Sequence, residues 1–266
     1  MSIFESIFLG AVQGVTEFIP VSSSGHLIVL RNFIGLKEIP LLFDILLHFS
    51  TLLVVIIIFR SRIAQLFITL YRLLRLRGAA EERENRKIIF LILLATVATA
   101  VVGFLILPLE DFLIGSPRFV SILFILTGIL LFLSRFFKGE RSYLEMSAVK
   151  GAFIGLAQGL GVLAGISRSG ITISAALFCG LDRKRAGEFS FLIAIPAILG
   201  ALILQIKDVG DLFAVVNLPV LLAGLISSFV VGFFSLLLLL RLINRGKIYL
   251  FSYYLIPVGI LTFLAL

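Results

Sequence analysis

At about 41–59, 88–108, 119–137, 188–204, 218–240 and 248–266 the chain carries apolar runs long enough to cross a bilayer. A helix needs about 20 mostly apolar residues to span roughly 30 Å of hydrocarbon, and lipid offers no partner to a backbone N–H or C=O left open inside it. These runs therefore predict an all-α polytopic membrane protein with six transmembrane helices. Of the 266 residues, 60% are hydrophobic and 14% charged, against about 25% charged in a soluble domain. The net charge of +8 is dispersed through short loops rather than gathered into a basic stripe, so no nucleic-acid partner is expected. A single cysteine, Cys179, excludes an intrachain disulfide. The first residues hold Glu5 and no basic stretch, so the N-terminal segment is expected to stay in the mature protein.

Lysine and arginine remain on the cytoplasmic side. The 60–87 loop carries Arg60, Arg62, Arg72, Arg75, Arg77, Arg83, Arg86 and Lys87, which places it inside. Arg135, Lys138 and Arg141, then Arg183, Lys184 and Arg185, then Arg241, Arg245 and Lys247 fall on the same side, while "PLEDFLIGSPR" and "KDVGD" fall opposite. Six crossings then put both termini outside. Two further apolar pairs, 3–19 with 27–36 and 148–166 with 171–181, are each broken by a glycine- and serine-rich turn. To preserve the count each must enter and leave on one side, as a re-entrant helical hairpin whose tip is enclosed by protein.

The two interrupted pairs align with each other without a gap. Gly10, Gln13, Gly14, Ser22, Ser24, Gly25, Ile28, Gly35 and Leu36 recur 145 residues later as Gly155, Gln158, Gly159, Ser167, Ser169, Gly170, Ile173, Gly180 and Leu181. Three spans follow each copy, and an odd number of crossings turns the second upside down. The chain is thus expected to be one membrane domain made of an inverted-topology repeat. Repeat one covers about 1–137 with hairpin 3–36, and repeat two about 146–266 with hairpin 148–181. A site is expected where the broken segments meet.

The polar residues collect there. Gln13 and Glu17 are spaced i, i+4, so a helix presents both on one face. Ser22, Ser23 and Ser24 occupy the first turn, Gly25 permits close backbone approach, and His26 starts the return helix. Ser167, Arg168, Ser169, Gly170 and Thr172 form the matching set. Two turns that each lead into a helix N-terminus make an anion site, and the arginine fork suits phosphate oxygens. A snorkelling Arg168 is disfavoured, because a hairpin tip is a poor place from which to reach water; an ionisable residue at membrane depth is functional by default. Asp44 and His48, also i, i+4, either line the mouth of the site or pair with each other. Glu188 is expected to anchor Arg183 or Arg185.

"QGVTEFIPVSSSGH" and "GISRSGITIS" resemble the two signatures of the undecaprenyl-diphosphatase, or bacitracin-resistance, family, and "FDILLH" and "AGEFSFLIAIP" are similar to further family segments, so the resemblance covers most of the chain. Gln13 stands where some members carry a second acid, and Ala164 replaces the proline that usually precedes the second signature. The resemblance implies six spans with two re-entrant hairpins in a bacterial inner membrane. It implies hydrolysis of undecaprenyl diphosphate to undecaprenyl phosphate and inorganic phosphate, which recycles the lipid carrier for peptidoglycan and other envelope polymers, and bacitracin resistance on overproduction.

On this reading the polyprenyl tail lies against apolar helices, among membrane lipid, and the diphosphate sits between the hairpin tips on the periplasmic side. Arg168, Gln13, Ser22, Ser24, Gly25, Ser167, Ser169, Gly170, Thr172 and backbone N–H groups bind it. Ser23 attacks the terminal phosphorus with His26 as base, and Glu17 either orients His26 or binds a divalent cation, Mg or Ca; direct attack by a water activated by His26 or Glu17 is the alternative. No organic cofactor is expected, and a homodimer is left open. A transporter of an anionic lipid is the rival class, since inverted repeats around a midplane anion site suit alternating access. A membrane scaffold, the third class, has no use for the polar tips.

Overall fold

The computed structural model describes residues 1–34, 40–75, 82–106, 116–205, 212–213 and 216–265. Of the expected outer loops, residues 108–115 of "PLEDFLIGSPR" and all of "KDVGD" lie outside the described residues, as do Gly35, Leu36 and Arg77. Helices α1 (Ile3–Phe18) and α2 (Ser23–Ile34) come first, then α3 (Leu41–Ile58), α4 (Arg60–Leu74), α5 (Arg83–Ile106) and α6 (Pro117–Ser134). After these come α7 (Ala148–Leu160), α8 (Arg168–Phe178), α9 (Arg183–Gln205), α10 (Leu218–Asn244) and α11 (Ser252–Ala265). Short 3-10 turns at Tyr143–Glu145 and Ile248–Phe251 precede α7 and α11.

Among the described residues six helices are long and apolar enough to cross a membrane, and they are the six expected. Their starts are marked by local chemistry. Ser116 accepts from Phe119 N with Pro117 in the first turn of α6, and Asn217 accepts from Val220 N at the head of α10. Side-chain acceptors at these positions satisfy N–H groups that the helix leaves open. Helices α5 and α9 begin at Arg83 and Arg183, about a turn before their apolar stretches, because charged residues extend a helix as readily as apolar ones do.

Two of the three most extensive helix pairs cross at small residues. Along α1 and α10, a Cβ added at Gly10 would fall 2.2 Å from the Gly224 carbonyl oxygen, and Ser6 donates to Val220 O at 2.6 Å. Along α7 and α5, a Cβ on Gly155 would fall 2.3 Å from Ala95 O, and Thr99 donates to Gly155 O at 2.9 Å. Association within lipid depends on close packing and hydroxyl bonds of this kind.

The 60–87 region differs from the expected loop, because residues 60–74 form a helix. Counting charges gives the side of the membrane but says nothing of the backbone, and arginine is a good helix former. Leu66 and Thr69 are buried on the inner face of α4, and Arg62 donates to Asn85 at 2.9 Å. Arg62 also corrects the partner of Glu188, which accepts from Arg62 Nε at 3.0 Å and from the Tyr143 hydroxyl at 3.2 Å. Arg185 pairs instead with Asp182 and Glu84, within easier reach of its position near the helix start.

Candidate active site

The broken segments meet tip to tip. Between α1 and α2 the chain turns through Pro20, Val21 and Ser22, and Ser22 has φ +70, a left-handed conformation unusual for a residue with a side chain. The hydroxyl of Ser22 is held in return, because it accepts from Gly165 N in the other turn at 2.9 Å. Gly165 has φ +104, and its carbonyl accepts from Thr127 at 3.1 Å. A Cβ at Gly25 would fall 2.9 Å from Gly165 N and 2.6 Å from the Phe124 ring, so only glycine allows the tips to come this close.

Helix α8 is N-capped by Ser167, which accepts from Gly170 N at 3.1 Å. Ser169 donates across the gap to Phe18 O at 3.2 Å. Thr172 is buried, and its hydroxyl bonds Arg168 O at 2.8 Å and also contacts Ser190. Thr172 and Ser167 therefore shape the turn rather than present free hydroxyls. Ser24 is half-buried at the start of α2.

Glu17 is the hub, with only 4% of its side chain exposed. Its Oε1 accepts from Arg168, and its Oε2 accepts from Gln13 Nε2 at 2.9 Å and Ser23 Oγ at 2.9 Å. His48 Nε2 lies 3.2 Å from the same Oε2 and 3.5 Å from Ser23 Oγ. Glu17, Arg168 and Ser169 line a small cavity whose other walls include Leu52, Val55 and Phe191. The arrangement brings a hydroxyl, a carboxylate, an imidazole and a guanidinium into one polar pocket surrounded by apolar helices.

The expected contact of His26 with Ser23 or Glu17 is replaced by another. The His26 ring meets Ser22 O through Nδ1 at 2.8 Å and the Tyr254 hydroxyl through Nε2 at 2.8 Å, and packs against Phe124. Position i+3 from Ser23 on one helix turns the imidazole toward α6 and α11 instead. The histidine beside Ser23 is His48, for which lining the site and pairing with Asp44 were both open from the sequence. Asp44 pairs with Arg31, and only its backbone carbonyl reaches the His48 ring. Arg31 and Tyr254 carried no local signal, since their partners lie 13 and 228 residues away.

Among the described residues no three His, Cys, Asp or Glu side chains come together, and both oxygens of Glu17 already receive donors.

Residues 6–261 match the family described as bacitracin resistance protein BacA. The chain is 49% identical over 261 residues to an undecaprenyl-diphosphatase of Treponema denticola, covering 98% of this chain and 96% of that one. It is 44% identical to the undecaprenyl-diphosphatase of Borreliella burgdorferi, with 98% and 97% covered, and 40% identical to that of Carboxydothermus hydrogenoformans, with 98% and 96% covered. Matched along nearly its whole length, and carrying both serine-rich turns in contact, the chain belongs to the bacitracin resistance protein BacA family.

Proposed function

We propose that this multi-pass membrane protein is an undecaprenyl diphosphatase. It hydrolyses undecaprenyl diphosphate to undecaprenyl phosphate and inorganic phosphate, returns the lipid carrier to envelope synthesis, and confers bacitracin resistance when overproduced. The observation that carries this reading is the convergence of Ser23, Glu17 and Arg168 from two turns at one buried point.

The terminal phosphate competes with Glu17 for the Arg168 fork, and the N-termini of α2 and α8 add their positive ends. Ser169 and Gly170 border the bound diphosphate, with Gln13, Ser22, Ser24, Gly25, Ser167 and Thr172 fixing the frame. Ser23 Oγ attacks the terminal phosphorus, the bridging P–O bond breaks, undecaprenyl phosphate leaves, and water then cleaves the phosphoserine. Direct attack by water is the competing route, and a trapped phosphoserine separates the two. A divalent cation in this reading arrives with the substrate's phosphates, and no step depends on it.

The hairpins are re-entrant and the chain is an inverted repeat. The α1 and α10 contact has its counterpart in α7 and α5, with Gly10 and Gly155, equivalent in the alignment, each at the crossing. The site opens to the periplasmic side of the bacterial inner membrane, and a homodimer is compatible with this arrangement.

The test is phosphate release from purified protein in detergent. Wild type should release one phosphate per lipid diphosphate, and Arg168→Ala should lose at least about 10²–10³-fold in kcat while remaining folded. A protein that only transports the lipid releases none, and near-normal turnover by Arg168→Ala would overturn the site.

A further inference from the structure

We infer that His48 is the catalytic base that takes the Ser23 proton, an assignment that rests on Ser23 being the nucleophile. Ser23 Oγ has two acceptors in reach, Glu17 Oε2 at 2.9 Å and His48 Nε2 at 3.5 Å. Glu17 is already filled: Arg168 occupies one oxygen, while Gln13 and Ser23 occupy the other. A proton settling on Glu17 would displace one of these donors and strand the guanidinium.

His48 has no such obstacle. Its Nδ1 lies 2.8 Å from Asp44 O, a carbonyl that can only accept, so Nδ1 carries the hydrogen and the neutral ring presents a lone pair at Nε2. That nitrogen lies between Glu17 Oε2 at 3.2 Å, which stabilises the imidazolium once it forms, and the hydroxyl of Ser23 at 3.5 Å. His26 has the same Nδ1 arrangement, with Ser22 O as acceptor, but its Nε2 lone pair is taken by the Tyr254 hydroxyl at 2.8 Å. Of the chain's two histidines, only His48 offers a base to Ser23.

The position of His48 is held from outside its own helix. One turn before it on α3, Asp44 receives both arms of Arg31, with Nη1 to Oδ2 at 2.7 Å. Arg31 lies on α2, two turns beyond Ser23, so the pair clamps the helix of the nucleophile to the helix of the base. A catalytic hydrogen bond that is long before the substrate is seated tightens in the reacting complex.

As the Ser23 Oγ–P bond forms and the bridging P–O bond breaks, the serine proton moves to His48 Nε2. The imidazolium then donates to Glu17 Oε2, 3.2 Å away, before passing the proton to the departing phosphate oxygen. In the second half, water attacks the phosphoserine, its proton goes to Nε2, and from there it returns to Ser23 Oγ.

The charged groups facing His48 are Glu17 on α1, Arg168 on α8 through Glu17, and Asp44 on its own helix with Arg31 on α2. Helices α9 and α10 also pack on α3, but their charged residues lie at the far end. Glu188 is level with Arg62, 14 residues past His48, and Arg241 lies 13 residues beyond Ser228, which donates to Leu47 O.

The experiment compares His48→Gln, His48→Ala, His26→Gln, Ser23→Ala and Arg168→Ala in the detergent phosphate-release assay, with melting temperature measured for each. His48→Gln should lose about 10²–10⁴-fold in kcat with KM and melting temperature close to wild type. Its kcat/KM profile should lose the ascending acid limb, which His26→Gln should keep. If His48→Gln and His48→Ala keep that limb and most of kcat while Ser23→Ala and Arg168→Ala are inactive, the base is another group and this assignment falls, leaving the site intact. If Ser23→Ala and Arg168→Ala both turn over normally, the site reading falls and this one with it.

Discussion

Ser22 shows how a single residue is constrained from both sides. Its backbone sits in the left-handed region at φ +70, while its buried hydroxyl accepts from Gly165 N. Glycine there would relieve about 1 kcal/mol of backbone strain, yet an unpaired buried N–H costs about 1–3 kcal/mol. Melting temperatures in detergent should therefore fall in the order wild type, Ser22→Gly, Ser22→Ala, since alanine loses the acceptor and keeps the strain. Ser22→Ala melting with wild type would show that the hydroxyl contributes little. Much at this scale was legible in the sequence: Glu17, Ser23 and Arg168 were named from spacing and repeat, and they touch. Which histidine lies beside Ser23 was not, because i+3 along α2 and i+4 along α3 set directions that become distances only when two helices are packed. Arg31 was invisible for the same reason.

Four elements at one end of the bundle are joined by one polar cluster. Arg62 at the start of α4 holds Glu188 on α9 and Asn85 on α5, and Tyr143 completes it from the 3-10 turn. Burial first, then the neighbouring Glu188, pushes the Tyr143 phenol well above its ordinary value, so it stays protonated and donates. A raised folded-state value means that this contribution to stability is full below pH about 10, the unfolded phenol's range, and is lost as pH climbs toward the folded value. Arg62→Met leaves Glu188 partly buried without its cation and should cost about 1–3 kcal/mol. Adding Glu188→Gln should return a good part of that, because no charge then remains stranded; a double variant less stable than Arg62→Met would contradict this picture. Hydropathy located the six spans to within a turn or so, but helix α4 was missed. Its arginines bore only on the expected side of the membrane, and its alternation of Leu66 and Thr69 with exposed Phe67 and Ile68 was too short to stand out from a loop.

For the whole molecule, the proposed orientation is open to direct measurement. In a Cys179→Ser background, single cysteines at Ser61 and Lys138 should resist a membrane-impermeant maleimide applied from outside, while one at Leu218 should react. Labelling of Ser61→Cys from outside would reverse the orientation. Another consequence concerns time rather than space. Glu17 and Arg168 are 151 residues apart, and synthesis at about 5–20 residues per second separates them by roughly 8–30 s. During that interval the ribosome has already delivered Gln13, then Ser23, then His48, each of which reaches Glu17. The nascent chain thus shelters its acid with neighbours made early, and the arginine made late completes the pair.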